Sequence, residues 1–187
     1  EDQQQLADQL GRFLRELHAI PAADLDGEVP HTLAPVSQDT WMDIHERLLE
    51  KVQPLLLPHQ LDWMENLFED PLNAAGFFDF EPVLIHGDLA PYHILYAADT
   101  GRINAVIDFG TAGLGDPATD LGSLISSYGE SLVQKIERTY PDYRELLSRA
   151  RFYAHAIELQ WVLLGVESGE DYWFTAHLGG ARDIGLK

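Results

Sequence analysis

Val83-Leu84-Ile85-His86-Gly87-Asp88 and Ala105-Val106-Ile107-Asp108-Phe109-Gly110 share one layout: a short apolar run, rich in β-branched residues, enters a turn holding an aspartate and a glycine. Such runs, bounded by turn residues, predict short strands. Ile94-Leu95-Tyr96 is a third run, and Asp99-Thr100-Gly101 is the turn that joins it to Ala105-Val106-Ile107. A hairpin returns its end to near its start, so Asp108 is expected close to Asp88 and His93. Two carboxylates converging at loop tips repel each other, and a cation or a reacting proton offsets that cost. The competing reading is local, because Asp and Gly are common turn residues and each acid then only caps its own turn.

Outward from this island the pattern is helical. Leu6, Leu10, Phe13, Leu14 and Leu17 fall on one helical face that ends near His18 and Pro21. Pro21 to Pro35 reads as a loop, with three prolines and scattered acids. Ser37 is placed to cap a helix carrying Trp41, Ile44, Leu48 and Val52, and Pro58 to open another with Leu61, Met64, Leu67 and Phe68 inward. After Gly115-Asp116-Pro117 the chain returns to helix, with segments expected at about 118–127, 130–139, 143–166 and 170–182. Asp116 reads as an N-cap before Pro117 at the first helical position. Asp120, in the first turn, suits the helix dipole and is expected to brace the loop at His86. The fold class is therefore mainly α with a small β-hairpin island, α+β, in one domain.

The 187 residues carry 12 Lys+Arg against 31 Asp+Glu, a net charge of −19. Hydrophobic residues make up 45%, which excludes wholesale disorder. The acidity argues against nucleic acid or an anionic membrane as the main partner, since both need basic patches. It suits a cationic partner, and it also simply keeps a surface soluble. With no cysteine, disulfides, thiolate catalysis and Cys-based zinc sites are excluded. A reducing cytoplasm is the simplest location, and no apolar run approaches the roughly 20 residues of a membrane span. The opening Glu-Asp-Gln-Gln-Gln has no Met and no signal-peptide pattern, and enters a helix at once, as if cut from something longer.

His86-Gly87-Asp88-Leu89 with a polar residue at 93, then Ile107-Asp108-Phe109-Gly110, then Gly115-Asp116-Pro117 with Asp120-Leu121, resembles the aminoglycoside phosphotransferase family. These are small-molecule kinases with the protein-kinase-like fold. The paired motifs are specific. The flanking helices, from Leu10-Gly11-Arg12-Phe13-Leu14 to Gly165-Val166-Glu167, extend the likeness over nearly the whole chain with weaker signals. The resemblance implies that Asp88 is the catalytic aspartate, orienting an acceptor hydroxyl and receiving its proton. It implies that Asp108 holds magnesium on the phosphates of ATP or GTP, that His86 fixes the catalytic loop, and that Asp120 supports that loop from behind. Phosphoryl transfer asks mainly for positioning and charge neutralisation, which such residues supply.

Two departures qualify the likeness. Position 93 is normally Asn, a second metal ligand; here it is His93, as in macrolide phosphotransferases of the same fold. Imidazole suits softer divalent ions better than Mg²⁺. His93 is expected to ligate a metal or bond a phosphate oxygen, against the plainer reading of a packed histidine. Second, no Gly-rich strand-turn-strand precedes His86, and of the three lysines only Lys51, in a helical pattern, lies upstream of it. Residues 1–187 are therefore expected to be the C-terminal lobe alone, without the nucleotide lobe and inactive by themselves.

On the acceptor side, Glu130, Glu158, Glu167, Glu170 and Asp171 lie in or beside the later helices, and Trp161 shares a helical face with Glu158. A polycationic aminoglycoside would meet its amines there, while the plainer reading is a solvated acidic surface and a core tryptophan. The expected partners are thus a nucleotide and a small cationic or hydroxylated acceptor. Alternatives are a macrolide or amino-alcohol kinase of the same fold, a degenerate kinase fold acting as a binding module, and an iron oxygenase using His86, Asp88 and a distal His155. The helices after residue 117 argue against the last, whose triad sits in a many-stranded sandwich.

Overall fold

In the computed structural model, residues 2–25 and 30–177 are described. The apolar face around Leu10 and Leu14 folds as helix α1 (Asp2–His18) with both leucines fully buried. Ser37 caps α2 (Gln38–Lys51), its hydroxyl oxygen accepting the Thr40 amide at 3.2 Å. Pro58 opens α3 (Pro58–Asn73), where its missing N–H leaves no bond unmade. Past the strands come α4 (Ala118–Tyr128), the short α5 (Glu130–Gln134), α6 (Tyr143–Ser168) and α7 (Asp171–His177). The segment expected over 130–139 divides, because regular helix stops at Gln134 and Lys135–Arg138 tightens into a 3₁₀ turn. Of the helix expected over 170–182, residues 178–182 lie outside the described residues, as do 26–29 of the proline-rich loop.

Helix α6, 26 residues long, packs along α4 and forms the spine of the helical part. Its Phe152 and Tyr153 meet Trp41 of α2: Trp41 stands edge-on to Phe152 at 5.2 Å and stacks on Tyr153 at 5.9 Å. Phe68 of α3 joins edge-on to Phe152 at 5.6 Å. The aromatic residues read as inward-facing thus meet in one core that ties three helices together.

The strands are short. β1 (Val83–Ile85) pairs antiparallel with β4 (Gly113–Gly115), and β2 (Ile94–Ala97) with β3 (Arg102–Val106), with an irregularity after Leu95. β4 was not among the expected strands. Gly-Leu-Gly carries none of the side-chain signal of a strand, yet glycine is what the position needs. A Cβ on Gly113 would stand 2.6 Å from both the Pro30 carbonyl oxygen and the Thr32 nitrogen. The close neighbour is the end of the proline-rich loop: Leu114 donates to Pro30 O at 2.9 Å and receives the Thr32 amide at 3.0 Å. Part of that loop is therefore a strap bridged to β4 at His31.

Asp116 makes the expected cap bond, accepting the Ala118 amide at 2.9 Å, although the helix begins beyond Pro117. The carboxylate does more than cap. It is fully buried, receives Arg149 Nε at 2.6 Å and Nη2 at 3.2 Å, and accepts the Tyr153 hydroxyl at 3.0 Å. Burial, with Asp116 beside it, pushes the Tyr153 hydroxyl far above its ordinary pKa, so it stays a donor. Asp116→Asn leaves the Arg149 charge uncompensated in a mostly buried site, and should lower stability by about 3 kcal/mol. Tyr153→Phe removes one donor and should cost about 1 kcal/mol. Urea unfolding of the two variants checks the order.

Candidate active site

β1 delivers His86 and Gly87 to the surface end of the sheet. Gly87 has φ +82°, and a Cβ there would lie 2.8 Å from Thr111 O, so the turn requires glycine twice over. The turn is held from below by Asp120 in the first turn of α4. One carboxylate oxygen accepts the His86 amide at 3.0 Å, and the other accepts the Gly87 amide at 2.9 Å. His18, at the end of α1, approaches the same carboxylate at 3.1 Å through Nε2. A carboxylate only accepts, so Nε2 carries the proton and, in the neutral ring, Nδ1 takes the Tyr140 hydroxyl at 2.9 Å. Burial pushes that hydroxyl up to about 12, which keeps it a donor.

The two histidines of the loop have tautomers fixed by the same logic. His86 Nε2 lies 3.0 Å from the Ile107 carbonyl and must donate, leaving Nδ1 to accept the Asp88 amide at 3.3 Å. His93, in the 3₁₀ turn Pro91–His93, donates Nδ1–H to the Asp88 carbonyl at 2.8 Å. Its Nε2 faces Asp108 Oδ2 at 3.4 Å, while Nδ1 is 3.8 Å from Asp88 Oδ2. The ring thus stands between the two aspartates. Tyr92 registers both: burial, then the charges of Asp88 and Asp108, raise its hydroxyl pKa.

Asp108 leaves β3 through Ile107, whose amide donates to His93 O at 2.9 Å. It has φ +61°, left-handed backbone that a non-glycine residue adopts at a cost. Its side chain is 64% exposed and that of Asp88 36%, whereas Asp120 is fully buried. The hairpin register puts Leu95, Ala105 and Ile107 on one face. Leu95 and Ile107 are exposed there, with Phe109 exposed nearby in the chain.

The acids expected on the acceptor side behave differently from one another. Glu130 is buried, and Arg151 grips both its carboxylate oxygens, at 2.9 and 2.6 Å. Its carboxylate ties α5 to α6. Glu158 accepts the Ser126 hydroxyl and pairs with His177 Nδ1 at 2.7 Å. Trp161 stacks on Trp173 at 4.9 Å and lies 5.8 Å from the His177 ring, so Glu158 and Trp161 meet through His177. Glu170 accepts Trp173 Nε1–H at 2.8 Å, and the side chain of Asp171 lies outside the described residues. Glu167 is bound by Arg47 at 3.1 and 2.5 Å and by Lys51 at 2.8 Å, and the Arg47 guanidinium with Lys51 holds its carboxyl below the usual range.

Trp161 and Glu167 do converge, on a cavity of about 530 Å³ whose other walls include Thr32, Leu33, Asp43 and Arg47. Thr32 and Arg47 were not singled out from sequence. The four-residue spacing of Asp43, Arg47 and Lys51 on α2 is the one signal that marked a polar helix face there. His155, the distal ligand of the oxygenase alternative, packs edge-on to Trp63 at 5.7 Å. Among the described residues no group of three or more His, Asp and Glu is assembled to hold a metal.

A sequence model of the Phosphotransferase enzyme family matches residues 1–153. The chain belongs to this family. Among curated phosphotransferases, the viomycin phosphotransferase of Streptomyces vinaceus is 38% identical over 55 residues, which is 28% of this chain and 19% of that protein. Among solved structures, the GDP complex of aminoglycoside 2'-phosphotransferase-IIIa is 25% identical, with a TM-score of 0.83 over 96% of this chain and 61% of that one. Macrolide 2'-phosphotransferase MphH of Brachybacterium faecium is also 25% identical, with a TM-score of 0.66 over 98% of this chain and 61% of that one. This phosphotransferase-family chain thus spans about three-fifths of those structures, and it has their mainly helical fold with small antiparallel sheets. Among the described residues no helix is long and apolar enough to cross a membrane.

Asp120→Asn replaces one acceptor oxygen by an amide donor that faces a backbone N–H. Stability should fall by about 3 kcal/mol, and the His86 and Gly87 amides should exchange with solvent faster than those of α6. Unchanged exchange at these two positions would remove Asp120 as the brace.

Proposed function

We propose that this chain carries the catalytic and metal-binding loops of a kinase that moves a phosphoryl group from ATP or GTP to a hydroxyl of a small molecule. The observation that carries the reading is the position of His93 between Asp88 and Asp108. In the neutral ring Nε2 is an acceptor, as is the Asp108 oxygen that it faces at 3.4 Å. Two acceptors at that spacing fit a cation between or beside them, and a nitrogen-oxygen donor pair suits a divalent ion whose remaining ligands are phosphate oxygens and water. Bound there, Mg²⁺ or a softer divalent ion would neutralise charge on the nucleotide phosphates.

Asp88 does the rest. Its half-exposed carboxylate orients the acceptor hydroxyl and receives its proton, while Asp120 and His86 hold the loop so that the carboxylate keeps its aim. The exposed Leu95–Ile107 face offers the apolar contact a purine base requires. The cavity between the strap, α2 and α6 receives the acceptor, with Trp161 as its aromatic wall and Asp43, Arg47 and Glu167 as its charged one. The GDP complex of aminoglycoside 2'-phosphotransferase-IIIa supports a nucleotide as one partner. An aminoglycoside-like, cationic and hydroxylated acceptor is the favoured class. Residues 1–187 act in this reading as the C-terminal lobe, with the remaining nucleotide contacts supplied from outside them, in the cytoplasm.

In the full-length polypeptide, Asp88→Asn should lower turnover by roughly 10²–10⁴-fold while metal-dependent nucleotide binding persists. Asp108→Asn should weaken that binding as well. Coupled ADP or GDP release with kanamycin, erythromycin and choline, alongside nucleotide titration, measures both. Absence of both turnover and metal-dependent nucleotide binding would leave a binding module instead.

His93 has its own test. Mn²⁺ bound with nucleotide should show magnetic coupling to an imidazole nitrogen by pulsed electron paramagnetic resonance, and His93→Ala should abolish the coupling. Equal turnover of wild type and His93→Ala with Mg²⁺ and with Mn²⁺ counts against a ligand role.

A further inference from the structure

The strap that pairs with β4 also touches the reaction loops. Thr32 donates its hydroxyl to Thr111 O at 2.7 Å and accepts the Ala34 amide at 3.1 Å. The Leu33 amide reaches the same Thr111 carbonyl at 3.3 Å. Thr111 in turn donates its own hydroxyl to His86 O at 3.0 Å. Thr111 lies three residues after Asp108, and His86 lies two residues before Asp88. Thr32 Oγ1 is also 2.9 Å from where a Cβ on Gly87 would stand, so the hydroxyl presses against the turn itself. On its other side Thr32 lines the cavity that Trp161, Arg47 and Glu167 enclose.

One side chain therefore connects the cavity wall, the segment after Asp108 and the turn before Asp88. The strap's backbone bonds to β4 do not depend on which residue occupies position 32. The hydroxyl is what that residue adds, and both its donor and its acceptor capacity are used. We propose that Thr32 is a positioning residue that sets the Asp88 and Asp108 loops relative to the molecule in the neighbouring cavity. The inference rests on the proposed phosphotransfer, and it assigns a role that neither motif contains. A displacement of about 1 Å between reacting groups lowers a rate by roughly 10²-fold, so a hydrogen bond this close to both loops bears on turnover.

The test uses the full-length polypeptide, with kanamycin, erythromycin and choline as acceptor probes. Thr32→Val keeps the shape and removes the hydroxyl. It should lower kcat by roughly 10–100-fold, leave the KM for nucleotide within about twofold, and raise the KM for acceptor. Thr32→Ser keeps the hydroxyl and should restore most of kcat. Thr111→Val cuts the next bond of the same chain and should lower kcat without adding to Thr32→Val in the double variant; it also serves if Thr32→Val fails to fold. Equal losses in the Val and Ser variants, or a Thr32→Val enzyme with wild-type kcat, overturn the positioning role while phosphotransfer stands. A wild-type protein that turns over none of the probes and binds no nucleotide with metal overturns the phosphotransfer reading, and this inference with it.

Discussion

A buried carboxylate under a backbone turn is the constraint on which the rest of the site depends. The His86 amide is buried and the Gly87 amide partly so, and unpaired in a buried site an amide costs roughly one to three kcal/mol. Asp120 satisfies both, one oxygen to each. His18 then engages that charge from α1, and Tyr140 completes the chain of donors. A catalytic-type turn, the first turn of α4 and the end of α1 are thereby fixed to one another by a single side chain. The turn cannot shift by much without stranding either a charge or two amides.

What was legible in the sequence follows from where side chains carry the information. The three runs at 83, 94 and 105 have β-branched and apolar residues between turn formers, and each forms a strand, although β3 ends at Val106 rather than Ile107. The closeness of Asp88, His93 and Asp108 was legible for a geometric reason, because a hairpin must bring its two ends together. β4 was not legible, since a Gly-Leu-Gly strand is specified by the backbone that crowds it and not by its own side chains. For the same reason the strap at Pro30–Pro35 reads as loop: its bonds are to β4 and Thr111, about 80 positions away in sequence. Local pattern holds no record of a partner that distant.

That blind spot bears on function. The motif around Asp88 and the motif around Asp108 each describe one loop. How the two are held at a common spacing is decided by bonds between the loops that neither motif describes. His86 reaches the Ile107 carbonyl, His93 reaches the Asp88 carbonyl, and Ile107 returns its amide to His93. These bonds run between the β1 loop and the hairpin in both directions, and the two made by imidazoles each place a ring proton. The strap closes the same frame on its cavity side. The site is thus a set of backbone carbonyls and amides joined by imidazoles and hydroxyls, with the two aspartates projecting from it.

Net charge alone located none of this. The sequence has more than twice as many acids as basic residues, yet the structure gives several of the acids internal partners. Asp116 is held by Arg149 and Tyr153, Asp120 by two amides and His18, Glu130 by Arg151, and Glu167 by Arg47 and Lys51. Asp116, Asp120 and Glu130 are committed to the fold, because breaking their contacts would leave a buried charge on one side or the other. Asp88 and Asp108 differ in kind. Their side chains remain 36% and 64% exposed, and the group between them is the His93 imidazole. Exposure separates these two aspartates from the buried Asp116, Asp120 and Glu130. By that criterion the candidate site is the pair of loop aspartates, and the buried Asp116, Asp120 and Glu130 serve as struts of the frame.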